Sequence, residues 1–274
     1  MNLAQALDSA RASGVERLDA QLMLAQLLQQ PRSWLIAHDD LALSAVHLTQ
    51  YTQWLERRRA GEPLAYVLGQ TEFGGLVLQV GPQVLIPRPE TELLVEWGLE
   101  VLRARSASIT EPSVVDLGCG SGAIALVLKH RCPAARVTAV DASAPALDIA
   151  RRNAAALGLP IALAQGDWWA AVVGQCFHLA LSNPPYVAPG DPHLAALRHE
   201  PHGALVAAEQ GLSDLHRVID GAPMALLPGG WLLLEHGHDQ GPAVRTRLHQ
   251  VGFGEVETRC DLAGLARCTG GRFG

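Results

Sequence analysis

A chain of 274 residues, 49% of them hydrophobic and 18% charged, is too long for one small domain and too apolar for global disorder, so a large folded unit beside a smaller one is expected. A formal charge of −6, with Arg57-Arg58-Arg59 as the one compact basic run, excludes the electrostatic footprint of a general DNA or RNA binder and favours a protein or small-molecule partner. Cys119, Cys132, Cys176, Cys260 and Cys268 form no Cys-x-x-Cys pair and leave an odd count, which excludes a disulfide framework; no run is apolar enough to span a bilayer, no targeting segment opens the chain, and a cytoplasmic monomer is expected.

Residues 1–63 read as a small α-helical bundle. Leu3 and Leu7, then Leu18, Leu22, Leu24, Leu27 and Leu28, then Val46, Leu48, Tyr51 and Leu55 recur at helical spacings. The three arginines fall near the end of the last of these helices, where cations complement the dipole, and read as solvated surface. Gly61-Glu62-Pro63 stops that helix.

Residues 64–90 read as a hairpin linker, with Leu76, Leu78 and Val80 alternating between the turns Gly74-Gly75 and Gly81-Pro82. A helix then opens near Thr91, with Glu90 and Glu92 in its first turn and Leu93, Leu94, Trp97 and Val101 along it.

Within 91–274, short apolar runs near 113–117, 136–140, 161–164, 177–182 and 230–235 alternate with helical segments, the rhythm of a parallel sheet covered on both faces. After a helix near 240–250, strands near 253–258 and 264–269 lack a helix between them and predict a terminal antiparallel hairpin. The fold class is α/β: a mostly parallel seven-stranded sheet plus the small helical domain.

Chemistry concentrates at the strand ends. Val114-Val115 runs into Asp116-Leu117-Gly118-Cys119-Gly120-Ser121-Gly122 and then a helix, so the glycines allow a tight turn and close backbone approach to a ligand. Asp141 ends the next strand and is placed to accept the two hydroxyls of a ribose. Asp167 and Trp168, after the third strand, supply a carboxylate and an aromatic face for an adenine amine and ring, while Trp169 is assigned to the core.

The fourth strand ends in Ser182-Asn183-Pro184-Pro185-Tyr186, a rigid, acceptor-rich loop because its prolines fix φ and remove donors. An amide or aromatic amino nitrogen is a poor nucleophile. Acceptors aimed at its N–H groups orient it and favour localisation of its lone pair. The Asn183 side-chain oxygen and Pro184 carbonyl fit that task, and Tyr186 could stack on a planar target. The glycine pattern Gly118-x-Gly120-x-x-Ala123 also fits a nicotinamide-dependent oxidoreductase, which leaves the Asn-Pro-Pro-Tyr loop idle; a non-catalytic cofactor-binding protein is a third possibility. His236-Gly237-His238 and the pair His199 and His202 offer two close ligands without a third and fourth, and no metal is expected.

These residues resemble the release factor glutamine methyltransferases, the PrmC or HemK family of class I methyltransferases, over almost the whole chain. The likeness adds Gly61-Glu62-Pro63-Leu64-Ala65-Tyr66, Glu72-Phe73, Ile86-Pro87-Arg88-Pro89-Glu90-Thr91-Glu92, Arg198-x-Glu200-Pro201 and Leu232-Leu233-Leu234-Glu235-His236-Gly237. It implies a Rossmann-like fold and S-adenosyl-L-methionine as cofactor, with S-adenosyl-L-homocysteine as product. It further implies methylation of the side-chain nitrogen (N5) of the glutamine in the Gly-Gly-Gln motif of bacterial class 1 peptide chain release factors, gripped in part by the helical domain. The resemblance implies that Asp116, Gly118, Cys119, Gly120, Ser121, Gly122, Asp141, Asp167, Trp168 and Asn183 hold the cofactor, and that Asn183, Pro184, Pro185 and Tyr186 hold the substrate. The chain departs from the family in a short segment between Tyr186 and Arg198 and in His199, where an aromatic residue is usual. Enzymes methylating exocyclic amines of adenine or cytosine share Asn-Pro-Pro-Tyr, but the acidic balance and lack of an evident base-flipping module stand against a nucleic-acid substrate.

Overall fold

The computed structural model describes residues 1–106 and 108–274 and divides into two compact units, Met1–Gln70 and Thr71–Gly274.

The smaller unit contains α1 (Leu3–Ala12), α2 (Arg17–Leu28), α3 (Arg32–Ala37), α4 (Ala45–Arg59) and α5 (Leu64–Leu68). Asn2 and Gln5 exchange side-chain and backbone hydrogen bonds at the start of α1, satisfying two otherwise orphaned N–H groups. Leu3, Ala6, Met23, Leu24, Leu35, Tyr51 and Val67 close the core, and the Tyr51 hydroxyl donates to the Ala6 carbonyl at 3.3 Å.

The boundary expected at residue 63 moves. Pro63, read as a helix stop, immediately precedes α5, since a fixed φ suits the opening of a helix as well as its end. Val67 then joins the helical core, and Gln26 Nε2 donates to the Leu68 carbonyl at 2.8 Å. The basic run is also less free than its spacing implies. Arg57 bonds Glu62 and the Tyr66 and Val67 carbonyls, while Arg58 Nε meets Asp19 Oδ2 at 2.6 Å.

The larger unit opens within the hairpin of β1 (Gln70–Phe73), whose first residue ends the smaller unit, and β2 (Leu76–Gln79). The segment expected to be a linker belongs to this unit's core: Phe73, Leu76 and Leu78 are buried with the helices beside the main sheet. The unit continues through α6 (Glu92–Ala104), β3 (Ser113–Leu117), α7 (Ala123–Arg131), β4 (Arg136–Asp141), α8 (Ala144–Leu157), β5 (Ala162–Gln165) and β6 (Phe177–Ser182). It ends with a single turn α9 (Ala208–Gly211), α10 (Ser213–Gly221), β7 (Leu226–Glu235), α11 (Gly241–Gln250), β8 (Phe253–Cys260) and β9 (Ala266–Phe273).

Among the described residues, seven strands form one sheet in the order β5-β4-β3-β6-β7-β9-β8. The first five are mutually parallel, and β9 runs antiparallel to both β7 and β8. Alternate strand residues serve the two faces. Val114, Leu179, Leu181 and Leu233 pack with α6, α7 and α8, whereas Val115, Leu117, Ala180, Leu232 and Leu234 pack with α10 and α11. β7 starts four residues earlier than the pattern suggests, because Pro228 and Gly229-Gly230 sit in a stretch where the pairing with β6 shifts register.

α6 lies tight on the sheet. A Cβ at Gly98 would stand 2.9 Å from Leu181 Cδ2, so a larger residue there would push on the β6 side chains beneath the helix.

Candidate active site

Strand order reverses between β3 and β6: β4 and β5 follow on one side and β7 on the other. At such a switch point the connections diverge to opposite faces and leave a crevice beyond the strand ends. Leu117 pairs with Ser182, so Gly118 and Asn183 emerge side by side. The Ser182 hydroxyl donates to the Leu117 carbonyl at 2.7 Å and braces the two strands. A cavity of about 460 Å³ opens there, within the range for small-molecule sites.

Gly118, Gly120, Asp141, Asp167, Trp168, Asn183 and Pro185 line this cavity. Gly118 has φ +75°, and a Cβ on it would stand 3.1 Å from the Trp168 ring, so the absent side chain leaves the backbone open to a ligand beside the indole. Asp141 Oδ2 accepts Gly120 N at 2.8 Å and Oδ1 accepts Ser143 N at 2.9 Å. Each oxygen keeps a lone pair for a hydroxyl donor. Burial raises the Asp141 carboxyl's pKa, and the backbone N–H groups of Ser143 and Gly120 oppose the shift.

Asp116, Cys119, Ser121 and Gly122, expected at the cofactor, are not among the residues lining this cavity. Asp116 is fully buried, with Oδ2 accepting Ala125 N at 3.1 Å and Oδ1 unpartnered. Burial pushes its pKa up to about 7. Cys119 is buried in the core, Gly122 abuts Leu126 and Ala150, and the Ser121 carbonyl accepts Asn153 Nδ2 at 2.9 Å. The turn directs Gly118 and Gly120 outward and its other residues toward α7 and α8, a distinction that glycine spacing does not carry.

The tryptophan pair divides. Trp168 adopts φ +49°, a conformation costing about 1–2 kcal/mol for an L-residue, and its Nε1 donates to Asp214 Oδ1 at 3.3 Å. Trp169 donates to the Val218 carbonyl at 2.8 Å and packs on α10. Asp167 lines the cavity and is ion-paired with Arg217 through Oδ2.

In the Asn-Pro-Pro-Tyr loop, Asn183 Nδ2 donates to Thr91 Oγ1 at 3.2 Å, which leaves Oδ1 as the acceptor on the cavity side. Pro184 is buried. Tyr186, expected to stack on a target group, is held at two points: its hydroxyl donates to Glu235 Oε1 at 3.1 Å and its carbonyl accepts Gln240 Nε2 at 3.0 Å. Burial raises the Tyr186 phenol above its ordinary pKa.

Several contributors escape a reading of the strand ends. Gln83, Val84 and Leu85 reach the cavity from the hairpin side, Pro201, Gly203 and Ala204 from the segment before α9, and Asp214 and Arg217 from α10. Two motif segments singled out in the sequence bind each other: Arg88 pairs with Glu200, whose Oε2 accepts Ile86 N at 3.1 Å. The short stretch after Tyr186 contains one 3-10 turn, Pro192–Ala195, and returns so that Val187 pairs with Val206. His236, one of the histidines at which no metal is expected, bonds the Gly237 carbonyl and Thr269 hydroxyl, each at 2.7 Å.

Residues 91–200 match the family model described as Methyltransferase small domain, and residues 2–69 match the PrmC N-terminal domain. A Burkholderia pseudomallei protein named Release factor glutamine methyltransferase is 47% identical over 98% of this chain and 96% of its own length. One of the same name from Bordetella pertussis is 48% identical, covering 94% of this chain and 95% of that protein. A crystal structure of a methyltransferase from Pyrococcus furiosus aligns with a TM-score of 0.54 at 18% identity, covering 73% of this chain and 90% of that one, a likeness of fold.

Proposed function

The chain belongs to the release factor glutamine methyltransferase family, and from that premise we propose that it transfers the methyl group of S-adenosyl-L-methionine to the side-chain amide nitrogen (N5) of the glutamine in the Gly-Gly-Gln motif of class 1 peptide chain release factors. The observation that carries this reading is the adjacency of Asn183 to the glycine loop, with its Nδ2 engaged by Thr91 and its oxygen left to accept.

The cavity suits the cofactor on three counts: its size, the backbone opening at Gly118 beside Trp168, and the lone pairs remaining on Asp141. In this reading Asp141 receives the ribose hydroxyls, Trp168 lies against the adenine, and Gly118 and Gly120 let the chain pass close to the ligand. When bound, S-adenosyl-L-methionine supplies a methyl carbon on a cationic sulfur that leaves as a neutral thioether, keeping the electron pair of the broken S–C bond.

Asn183 Oδ1 and the Pro184 carbonyl accept the two N–H groups of the substrate amide. That aligns the nitrogen with the methyl carbon and favours localisation of its lone pair as the N–C bond forms. The nitrogen sheds one proton to solvent after transfer. Tyr186 acts here as an anchor for the loop through Glu235. The helical unit, Met1–Gln70, grips the release factor.

Transfer of labelled methyl from S-adenosyl-L-methionine to a purified release factor tests this reading, alongside the factor's Gln→Ala variant and an Asn183→Ala enzyme. Label is expected only where both the glutamine and Asn183 are intact. Equal labelling of the Gln→Ala factor, or labelling of nucleic acid alone, would overturn it.

A further inference from the structure

Three consecutive residues of the turn α9 adopt left-handed backbone: Glu209 at φ +54°, Gln210 at φ +57° and Gly211 at φ +86°. That conformation is disfavoured for L-residues, and side-chain-bearing residues keep it only where their surroundings impose it. Two contacts impose it here. Gly211 lies so close to the Tyr186 carbonyl that a Cβ on it would stand 2.0 Å from the oxygen. The Gln210 carbonyl accepts Gln240 Nε2 at 3.2 Å.

The same Nε2 donates to the Tyr186 carbonyl at 3.0 Å, and Gln240 Oε1 accepts Gly237 N at 2.8 Å. One side chain, at the N-cap of α11, thus directs its two amide protons to carbonyls from two distant segments and its oxygen to its own turn. Val187 extends the contact: its N–H donates to the Leu205 carbonyl at 2.9 Å, and its carbonyl accepts Ala207 N at 3.0 Å. The far end of the Asn-Pro-Pro-Tyr loop is therefore gripped between residues 205–211 and the start of α11.

Position at this end reaches the other end of the loop. Pro184 and Pro185 have fixed φ, and Asn183 and Pro184 are each pushed to extended backbone by the proline that follows. So stiff a segment moves as a unit, and a displacement of Tyr186 carries to Asn183 Oδ1 and the Pro184 carbonyl. We infer that Gln240 is a positioning residue for methyl transfer: by bracing the Tyr186 carbonyl against the left-handed Glu209-Gln210-Gly211 turn, it sets where the Asn183 and Pro184 oxygens meet the substrate amide. The inference rests on the reading above, in which those two oxygens accept the substrate N–H groups. The cofactor wall has other supports. Leu215, Val218 and Ile219 are fully buried and seat α10 in the core, so Asp214 and Arg217 keep their places at the cavity without Gln240.

The brace predicts a loss of turnover without a loss of cofactor binding. Gln240→Met keeps the length of the side chain and removes all three hydrogen bonds. Gln240→Glu keeps the acceptor for Gly237 N but removes both donors, setting a carboxylate against the Tyr186 and Gln210 carbonyls. Each is expected to lower kcat about 10- to 100-fold, the scale of misplacing a reacting group by up to about 1 Å, with affinity for S-adenosyl-L-methionine and KM for the release factor within about threefold of wild type. The pair separates the brace from a local role, because a glutamine that only closed its own turn would tolerate glutamate.

Steady-state kinetics with a release factor, calorimetric cofactor binding and thermal unfolding of each variant decide the matter. Low kcat beside near-wild-type cofactor affinity in both folded variants is the expected result. Wild-type kcat in Gln240→Glu, or a fall in cofactor affinity as large as the fall in kcat, overturns the brace. Asn183→Ala separates the two levels: normal turnover there overturns the reading of Asn183 itself, whereas its loss beside intact turnover in both Gln240 variants overturns the brace alone.

Discussion

Asn153 on α8 ties the hairpin to the glycine loop, and its removal gives a stability effect that can be worked from the structure. The side chain is 1% exposed; Oδ1 accepts Gln79 N at 2.7 Å, while Nδ2 donates to the carbonyls of Gln79 at 3.0 Å and Ser121 at 2.9 Å. Asn153→Ala deletes three hydrogen bonds, one of them to the Ser121 carbonyl in a buried site and two to the part-buried backbone of Gln79. At about 1 kcal/mol per bond the loss is about 3 kcal/mol. A domain of this size shifts in Tm by about 2–4 °C per kcal/mol, so a fall of roughly 6–12 °C is expected. Calorimetric unfolding of the intact chain reads this directly. Because Ser121 belongs to the cofactor loop, affinity for S-adenosyl-L-methionine should fall with it. A Tm within about 2 °C of wild type would refute the claim that this one side chain couples hairpin and loop.

Gly118→Ala places a methyl group against Trp168 in a backbone conformation unfavourable to L-residues; calorimetry should show cofactor affinity reduced at least about tenfold, and unchanged affinity would remove Gly118 from the site. Trp168→Ala should weaken cofactor binding with little change in Tm, while Trp169→Ala should lower stability by about 2 kcal/mol or more with less effect on binding; the reverse pattern would exchange their roles. Asp116 supplies a pH signature. Its folded pKa, about 7, lies above the ordinary 3.8, so between those values the folded chain holds more protons than the unfolded one and stability falls as pH rises through that window. Asp116→Asn removes this slope, and its Tm relative to wild type should improve from pH 5 to pH 8. A constant difference across that range would contradict the assignment.

Much of the large unit is legible because local pattern and global topology agree. Alternating apolar strands and helices place the five parallel strands, and the absence of a helix between residues 253 and 269 foretells the antiparallel pair. The juxtaposition of Gly118 and Asn183 follows from the same logic, since both end strands that flank a switch point. What local pattern misses is direction and partnership. Tyr186 reads as a stacking platform until Glu235, 49 residues later, captures its hydroxyl. The ion pair of Asp167 with Arg217, 50 residues later on α10, has no local signal either. Asp116, still within β3, and Cys119, in the turn after it, share the glycine loop's motif but are buried. Pro63 is ambiguous in principle, closing one helix or opening another, and only the packing of Val67 decides.

The central claim, that Asn183 directs methyl transfer onto a glutamine amide, is tested most directly by mass-spectrometric sequencing of the release-factor peptide that spans Gly-Gly-Gln after incubation with enzyme and S-adenosyl-L-methionine. One methyl group on the side-chain nitrogen of that glutamine is expected with the wild-type enzyme and none with Asn183→Ala. A methyl group on any other residue, or full modification by Asn183→Ala, would contradict it.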